Sequence, residues 1–87
     1  MLEKELERKC TTIARMAGYY EIRILKSTRK GVPDHIFAKD NHTFFVEFKT
    51  SIGVLSSSQR YEIKQIEKKG LNIYVIRDLE EFKRLLR

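Results

Sequence analysis

Cysteine is almost absent from this chain: Cys10 stands alone among 87 residues. A single thiol excludes an intramolecular disulfide and any cysteine-rich zinc site. It suits a reducing, cytoplasmic setting. Cys10 continues an apolar stripe through Leu2, Leu6, Ile13 and Ala17, so it reads as a buried core thiol rather than a nucleophile. Histidine is scarce too. Neither His35 nor His42 has a second histidine or cysteine at metal-ligand spacing, and both read as bystanders. On a strand, His35 is expected to point away from Asp34. No apolar run approaches the length of a membrane span, and the polar opening Glu3, Lys4, Glu5, Glu7, Arg8 carries no leader-like core. There is no internal repeat and no low-complexity segment.

The chain does carry charge of both signs, with a positive excess. Eighteen lysines and arginines against 12 acids leave a formal net charge of +6, and the sequence pI is about 9.6. A basic balance favours a polyanionic partner. Hydrophobic content of 41% beside 34% charged residues is that of a globular chain rather than a disordered one. The length suits one small domain over residues 1–87, with a modest core and a small stability margin.

The periodicity predicts a helix over residues 2–17, stopped at Gly18. Glu3 near its start is favoured by the helix dipole. A strand follows over 19–25, then the basic loop Lys26-Ser27-Thr28-Arg29-Lys30-Gly31. That loop leads directly into Pro33-Asp34, which makes Lys26, Arg29 and Lys30 candidate phosphate contacts. Pro33 suits a strand start, and Ile36-Phe37-Ala38 continue the strand. Asp40-Asn41 forms a tight hairpin turn. The next strand spans 43–50. Ser56 to Lys69 reads as a helix opened by a Ser56/Gln59 capping box. On it, Arg60, Lys64 and Lys68 share a face, a credible track for a nucleic-acid backbone. An apolar strand over 71–76 and a short helix behind an Asp78/Glu81 capping box close the chain. The order αβββαβα implies an α/β fold, a mixed sheet flanked by helices.

The chemistry concentrates in one pattern. Pro33-Asp34 is followed, after 12 intervening residues, by Glu47-Phe48-Lys49. Side chains two apart on a strand share a face, so Glu47 and Lys49 project together. If the two strands pair, Asp34 comes to the same edge. Two carboxylates and an ammonium on one spot can hold a hard divalent cation and direct water at a phosphodiester. Apolar residues fill both faces just before Glu47, where a carboxylate and an ammonium are costly to place without a purpose.

These residues resemble the signature of the PD-(D/E)xK nuclease superfamily. Their surroundings are similar to the minimal virus-type replication-repair nuclease (VRR-Nuc) domain: Glu3-Lys4-Glu5-Leu6 opening a first helix, Gly18 ending it, Leu55-Ser56-Ser57-Ser58-Gln59-Arg60 opening a second, and Gly70 closing that one. The resemblance spans nearly the whole chain. It implies a restriction-endonuclease-like αβββαβα core and a metal-dependent phosphodiesterase using Mg²⁺ or Mn²⁺. The implied metal ligands are Asp34, Glu47, the Phe48 carbonyl and an acid from the first helix, matched to Glu3 with Glu7 one turn on as the alternative. Lys49 would orient the attacking water and stabilise transition-state charge. Gln59 would lie beside the metal site and position the lysine or the DNA, while also serving as the capping residue. The implied products carry a 5′-phosphate and a 3′-hydroxyl. Glu3-Lys4-Glu5-Leu6 is also similar to the opening of archaeal Holliday-junction resolvases. The expected substrate is therefore branched DNA, four-way junctions above all, cut by a two-fold homodimer because paired cuts need two sites. Two other readings stand beside this one. A nucleic-acid-binding module with a decayed nuclease fold would bind without cutting. A sequence-specific nuclease would need more chain for base readout.

Overall fold

The computed structural model describes residues 1–87. Seven elements follow one another: α1 (Glu3–Met16), β1 (Tyr20–Arg23), β2 (His35–Lys39), β3 (His42–Phe48), α2 (Ser57–Lys68), β4 (Asn72–Ile76) and α3 (Leu79–Lys83). They build one four-stranded sheet in the order β1-β2-β3-β4. β1, β2 and β3 are antiparallel neighbours, while β4 joins β3 in parallel. That parallel step needs a crossover, and α2 supplies it. The result is the mixed α/β arrangement expected from the element order. No helix is long and apolar enough to cross a membrane.

Local chemistry explains the turns and ends. Asp40 and Asn41 have φ of 44° and 66°, the left-handed conformation these residues tolerate and a two-residue hairpin requires. Both capping boxes form, Ser56 with Gln59 and Asp78 with Glu81. β1 ends two residues sooner than expected and β2 begins at His35, after Pro33-Asp34. The Ile24 amide still reaches the Asp34 carbonyl at 2.9 Å, so the strands separate only where the basic loop begins.

The two faces of the sheet differ. Phe37, Phe44, Val46 and Phe48 face α1 and α3, and close a dry layer with Leu6, Cys10, Ala14 and Phe82. The Phe37 and Phe82 rings meet edge to face at 5.2 Å. Each such ring contributes about 1.5–3 kcal/mol by leaving water. Cys10 sits in this layer with no exposure, and burial pushes its thiol up to about 12, so it is no nucleophile. On the opposite face α2 packs against β4 and leaves Tyr20 and Ile22 of β1 70% and 42% exposed.

Candidate active site

The register brings the motif together. His35 pairs with Val46 and Ile36 with Phe45, which brings Asp34, just ahead of β2, toward Glu47 at one end of the hairpin, although the acids that close to within 4.8 Å are Glu7 and Asp34 with His35, without Glu47. In β4 the partner of Glu47 is Val75, so β3 is paired on both sides and Glu47 sits in the middle of the sheet, only 8% exposed. Gln59 covers it. Its Nε2 donates to Glu47 Oε2 at 3.2 Å while its Oε1 accepts from the Ser56 amide at 2.9 Å. Gln59 is thus both the capping residue of α2 and a direct neighbour of the buried acid. Burial, then the negative charge of Asp34, pushes Glu47 up to about 7 against a partial counterweight from Lys49.

Asp34 is held in a different way. His35 Nδ1–H donates to Asp34 Oδ1 at 2.8 Å, and His35 Nε2 lies 3.5 Å from Glu21 Oε2. The hydrogen bond from His35 lowers the Asp34 pKa against the opposing effect of burial. This corrects the expectation that His35 is a bystander. Its Cβ does face α1, away from Glu47, as alternation requires. At the first residue of the strand, however, the ring can still fold back against the preceding carboxylate. A sequence pattern gives the face of a side chain but not the reach of its ring.

The acid that α1 brings to this point is Glu7. One ligand atom each from Glu7, Asp34 and His35 lies within 4.8 Å of the others. Burial, and then the charge of Asp34, raises the Glu7 pKa. Glu3, one turn earlier on the same side of the helix, is exposed and bears on Glu47 and Glu7 through its charge. Which of the two approaches Asp34 depends on how far α1 slides along the sheet, and helix periodicity leaves that offset open.

The remaining expected residues divide. Lys49 follows on the face of Glu47, and the Phe48 carbonyl lies on the backbone between them while the Phe48 ring is in the core, 1% exposed. Lys26, Lys30, Lys64 and Lys68 are exposed and make no side-chain hydrogen bond or ion pair. Arg29 is engaged instead: its Nε and Nη2 meet the two carboxylate oxygens of Glu62 in α2 at 2.8 and 3.1 Å. Arg60 folds back on the Leu55 carbonyl at 2.8 Å. These two arginines brace the scaffold. Gly31 shows why the loop sits so close to α2, since a Cβ there would come 2.5 Å from the Ser58 carbonyl carbon.

One residue of the site region had no sequence signal. Arg77 Nη1 donates to the carbonyls of Thr50 and Gly53 at 2.8 and 2.6 Å. It thereby fixes the loop that leaves Lys49. Only the parallel pairing of Phe48 with Ile76 brings Arg77 alongside.

Searches against family models and curated proteins returned no match. Among solved structures, one described as "VRR_NUC domain" superimposes with a TM-score of 0.85 at 20% identity, covering 95% of this chain and 91% of that one. The chain has the VRR_NUC fold. Within that fold, the end of the sheet that carries Asp34, Glu47, Lys49, Gln59, Glu7 and His35 concentrates carboxylates in a partly desolvated place. The donors among them are carboxylate and amide oxygens and one imidazole, and burial first, then the neighbouring carboxylates, raises both Glu47 and Glu7. These are the properties of a site for a hard divalent cation, so the residues present fit one.

Proposed function

We propose that this chain is a metal-dependent DNA endonuclease that cuts branched DNA, four-way junctions in particular, as a homodimer. The observation that carries the reading is the juxtaposition, across β2 and β3, of Asp34 with a buried Glu47 whose pKa is raised to about 7 by burial and by Asp34. A carboxylate held in that state, with Lys49 two residues on, is costly to keep unless a cation neutralises it. The likeness to a VRR_NUC domain supports a nuclease over other metal-dependent chemistries.

In this reading Asp34 and Glu47 hold Mg²⁺ or Mn²⁺, with the Phe48 carbonyl and an acid of α1 completing the protein ligands. Glu3 is the position that the sequence resemblance matches, and Glu7 is the acid found beside Asp34. When bound, the ion supplies Lewis acidity toward water and toward the phosphate oxygens. The rest falls to the chain. Gln59 keeps Glu47 in place. His35 keeps Asp34 in place. Lys49 orients the attacking water and offsets the negative charge that builds on the phosphate. Lys26, Lys30, Lys64 and Lys68 remain available to phosphates, whereas Arg29 and Arg60 contribute by holding the loop and the cap.

A molecule with extents of 32 × 30 × 22 Å and one such site makes one cut, so paired cuts in a junction need a second copy. The open sheet face around Tyr20 and Ile22 supports self-association. The test is an incubation of purified protein with a labelled four-way junction and the matching linear duplex, each in Mg²⁺, Mn²⁺ or EDTA. Metal-dependent paired nicks in the junction alone are the expected result. Binding without cleavage in either metal would replace the nuclease by a DNA-binding module.

A further inference from the structure

Between α1 and β1 runs an open groove of about 530 Å³ with no hydrophobic side chain in its lining. Four cations line it: Lys4, Arg8 and Arg15 from α1 and Arg23 from β1. None of them takes part in any of the chain's four ion pairs. Two acids, Glu7 and Glu21, share the lining, so four cations less two carboxylates leave a formal surplus of two positive charges, with Arg23 facing the α1 cations; that surplus favours an anion. The placement follows from both periodicities. Residues 4, 8, 11 and 15 share one face of a helix, and Arg23 pairs with His35, so it points from the sheet toward that face.

The groove is continuous with the site, because Glu7 and His35 belong to its lining. Lys4 and Arg15 are 11 positions apart, about 16 Å along a helix axis. A duplex strand carries a phosphate about every 3.4 Å of axis, so this length accompanies roughly five successive phosphates. Arg15 lies about 12 Å beyond Glu7 along the helix, too far to touch the phosphate being cut. The exposed lysines of the basic loop and of α2 lie on the other side of the candidate site, the side of Gln59 and Gly31.

We infer that the α1–β1 groove seats the sugar–phosphate backbone of the strand being cut, on one side of the cleavage point, with Arg15 as its outermost contact. This rests on the proposed nuclease reading and adds the path of the substrate to it. The groove is a backbone track, read by charge and spacing, and it carries no base-edge readout.

The test uses Arg8→Gln/Arg15→Gln in an Asp34→Ala background, with Lys64→Gln/Lys68→Gln in the same background for comparison. Both arginines are exposed and make no structural hydrogen bond, so thermal melts should match those of the parent. Affinity for a labelled junction and for a single-stranded oligonucleotide is measured in EDTA between 50 and 200 mM salt, about a fourfold range over which phosphate contacts reveal themselves. Loss of two backbone contacts lowers the magnitude of the log–log salt slope by roughly 1.4–1.8. Phosphate-ethylation interference mapped on the parent and on Arg8→Gln/Arg15→Gln should lose signal several nucleotides to one side of the cut, and that signal should persist in the lysine variant. An unchanged slope and interference pattern, with wild-type protein still binding and cutting DNA, overturns the groove and leaves the nuclease standing. Full displacement of the oligonucleotide by millimolar inorganic phosphate at constant ionic strength would make the groove a small-anion pocket and overturns the track as well. Wild-type protein that neither binds nor cuts any DNA overturns the nuclease reading itself.

Discussion

His35 and His42 sit at opposite ends of the same hairpin, both facing α1 and both nearly out of reach of solvent, yet their surroundings give them opposite roles. At the turn end, the Arg87 amide donates to Tyr19 Oη at 2.9 Å, and Tyr19 Oη lies 2.8 Å from His42 Nδ1. Tyr19 Oη accepts from the Arg87 amide and shares one further hydrogen bond with His42 Nδ1, whose direction follows the tautomer of the ring. Burial lowers the His42 pKa, in keeping with a neutral ring in a chain of neutral bonds that is complete within the protein. At the other end, His35 touches two carboxylates, Asp34 and Glu21, and beyond them lie Glu7 and Glu47. One end of the hairpin is finished and neutral. The other is left with an unmet charge. A buried polar group that closes its own network stabilises the fold, and one that leaves charge uncompensated points toward a ligand.

The sharpest way to break this comparison is Asp34→Ala. It should lower metal-dependent DNA cleavage on the order of a thousandfold or more while leaving the fold intact. Near-full activity in single-turnover assays would remove the core of the argument. Next is the pH dependence of the metal-free protein. Glu47 is raised to about 7 from an ordinary value of 4.5. Between those values the folded chain holds a proton that the unfolded chain has already released. The stability linked to Glu47 is therefore fully present below pH 4.5 and is lost as pH rises toward 7, by up to about 3 kcal/mol. Urea titrations in EDTA should show that decline. Glu47→Gln, which keeps a partner for Gln59, should abolish it, and a wild-type profile in that variant would place the charge elsewhere. Asp34, whose pKa is lowered, acts with the opposite sign, losing its contribution as pH falls below the usual carboxylate range.

The two histidines can then be set against each other directly. His35→Phe keeps a ring against Phe37 and Phe48 but removes the donor to Asp34. Calorimetric Mn²⁺ affinity should fall about 10–100-fold, and His42→Phe should leave it unchanged. Equal losses in both would mean that the rings act only through packing. The smallest effect is expected of Tyr19→Phe, which opens the turn-end network. It should cost about 1 kcal/mol of stability with no change in cleavage, and a catalytic defect there would erase the distinction between the two ends.

Local rules made much of this legible. The Asp40-Asn41 turn, both capping boxes and the burial of Leu6 and Cys10 depend on residues at most a few positions apart, and each stands where sequence reasoning put it, whereas Leu2 is 69% exposed and Ala14 is buried in its stead. The β2–β3 register from His35↔Val46 to Lys39↔His42 was legible too, because a two-residue turn leaves one register open to the strands. What was missed joins residues far apart in the chain. Arg29 and Glu62 are 33 positions apart and meet through both oxygens. Arg77 reaches a loop 24 to 27 residues away. Neither has a periodicity to betray it.

Element order, the hairpin turn, the caps and the burial of Leu6 and Cys10 follow from the residues alone, because backbone sterics and side-chain period act over short spans. It took the packed fold to show that Glu7 is the helix acid beside Asp34, that His35 turns back onto Asp34, and that four cations of α1 and β1 line one groove. These depend on how far one packed element slides along another. That offset is set by the whole of the core, with Phe44 and Phe82 at its centre, and by no single stretch of the chain.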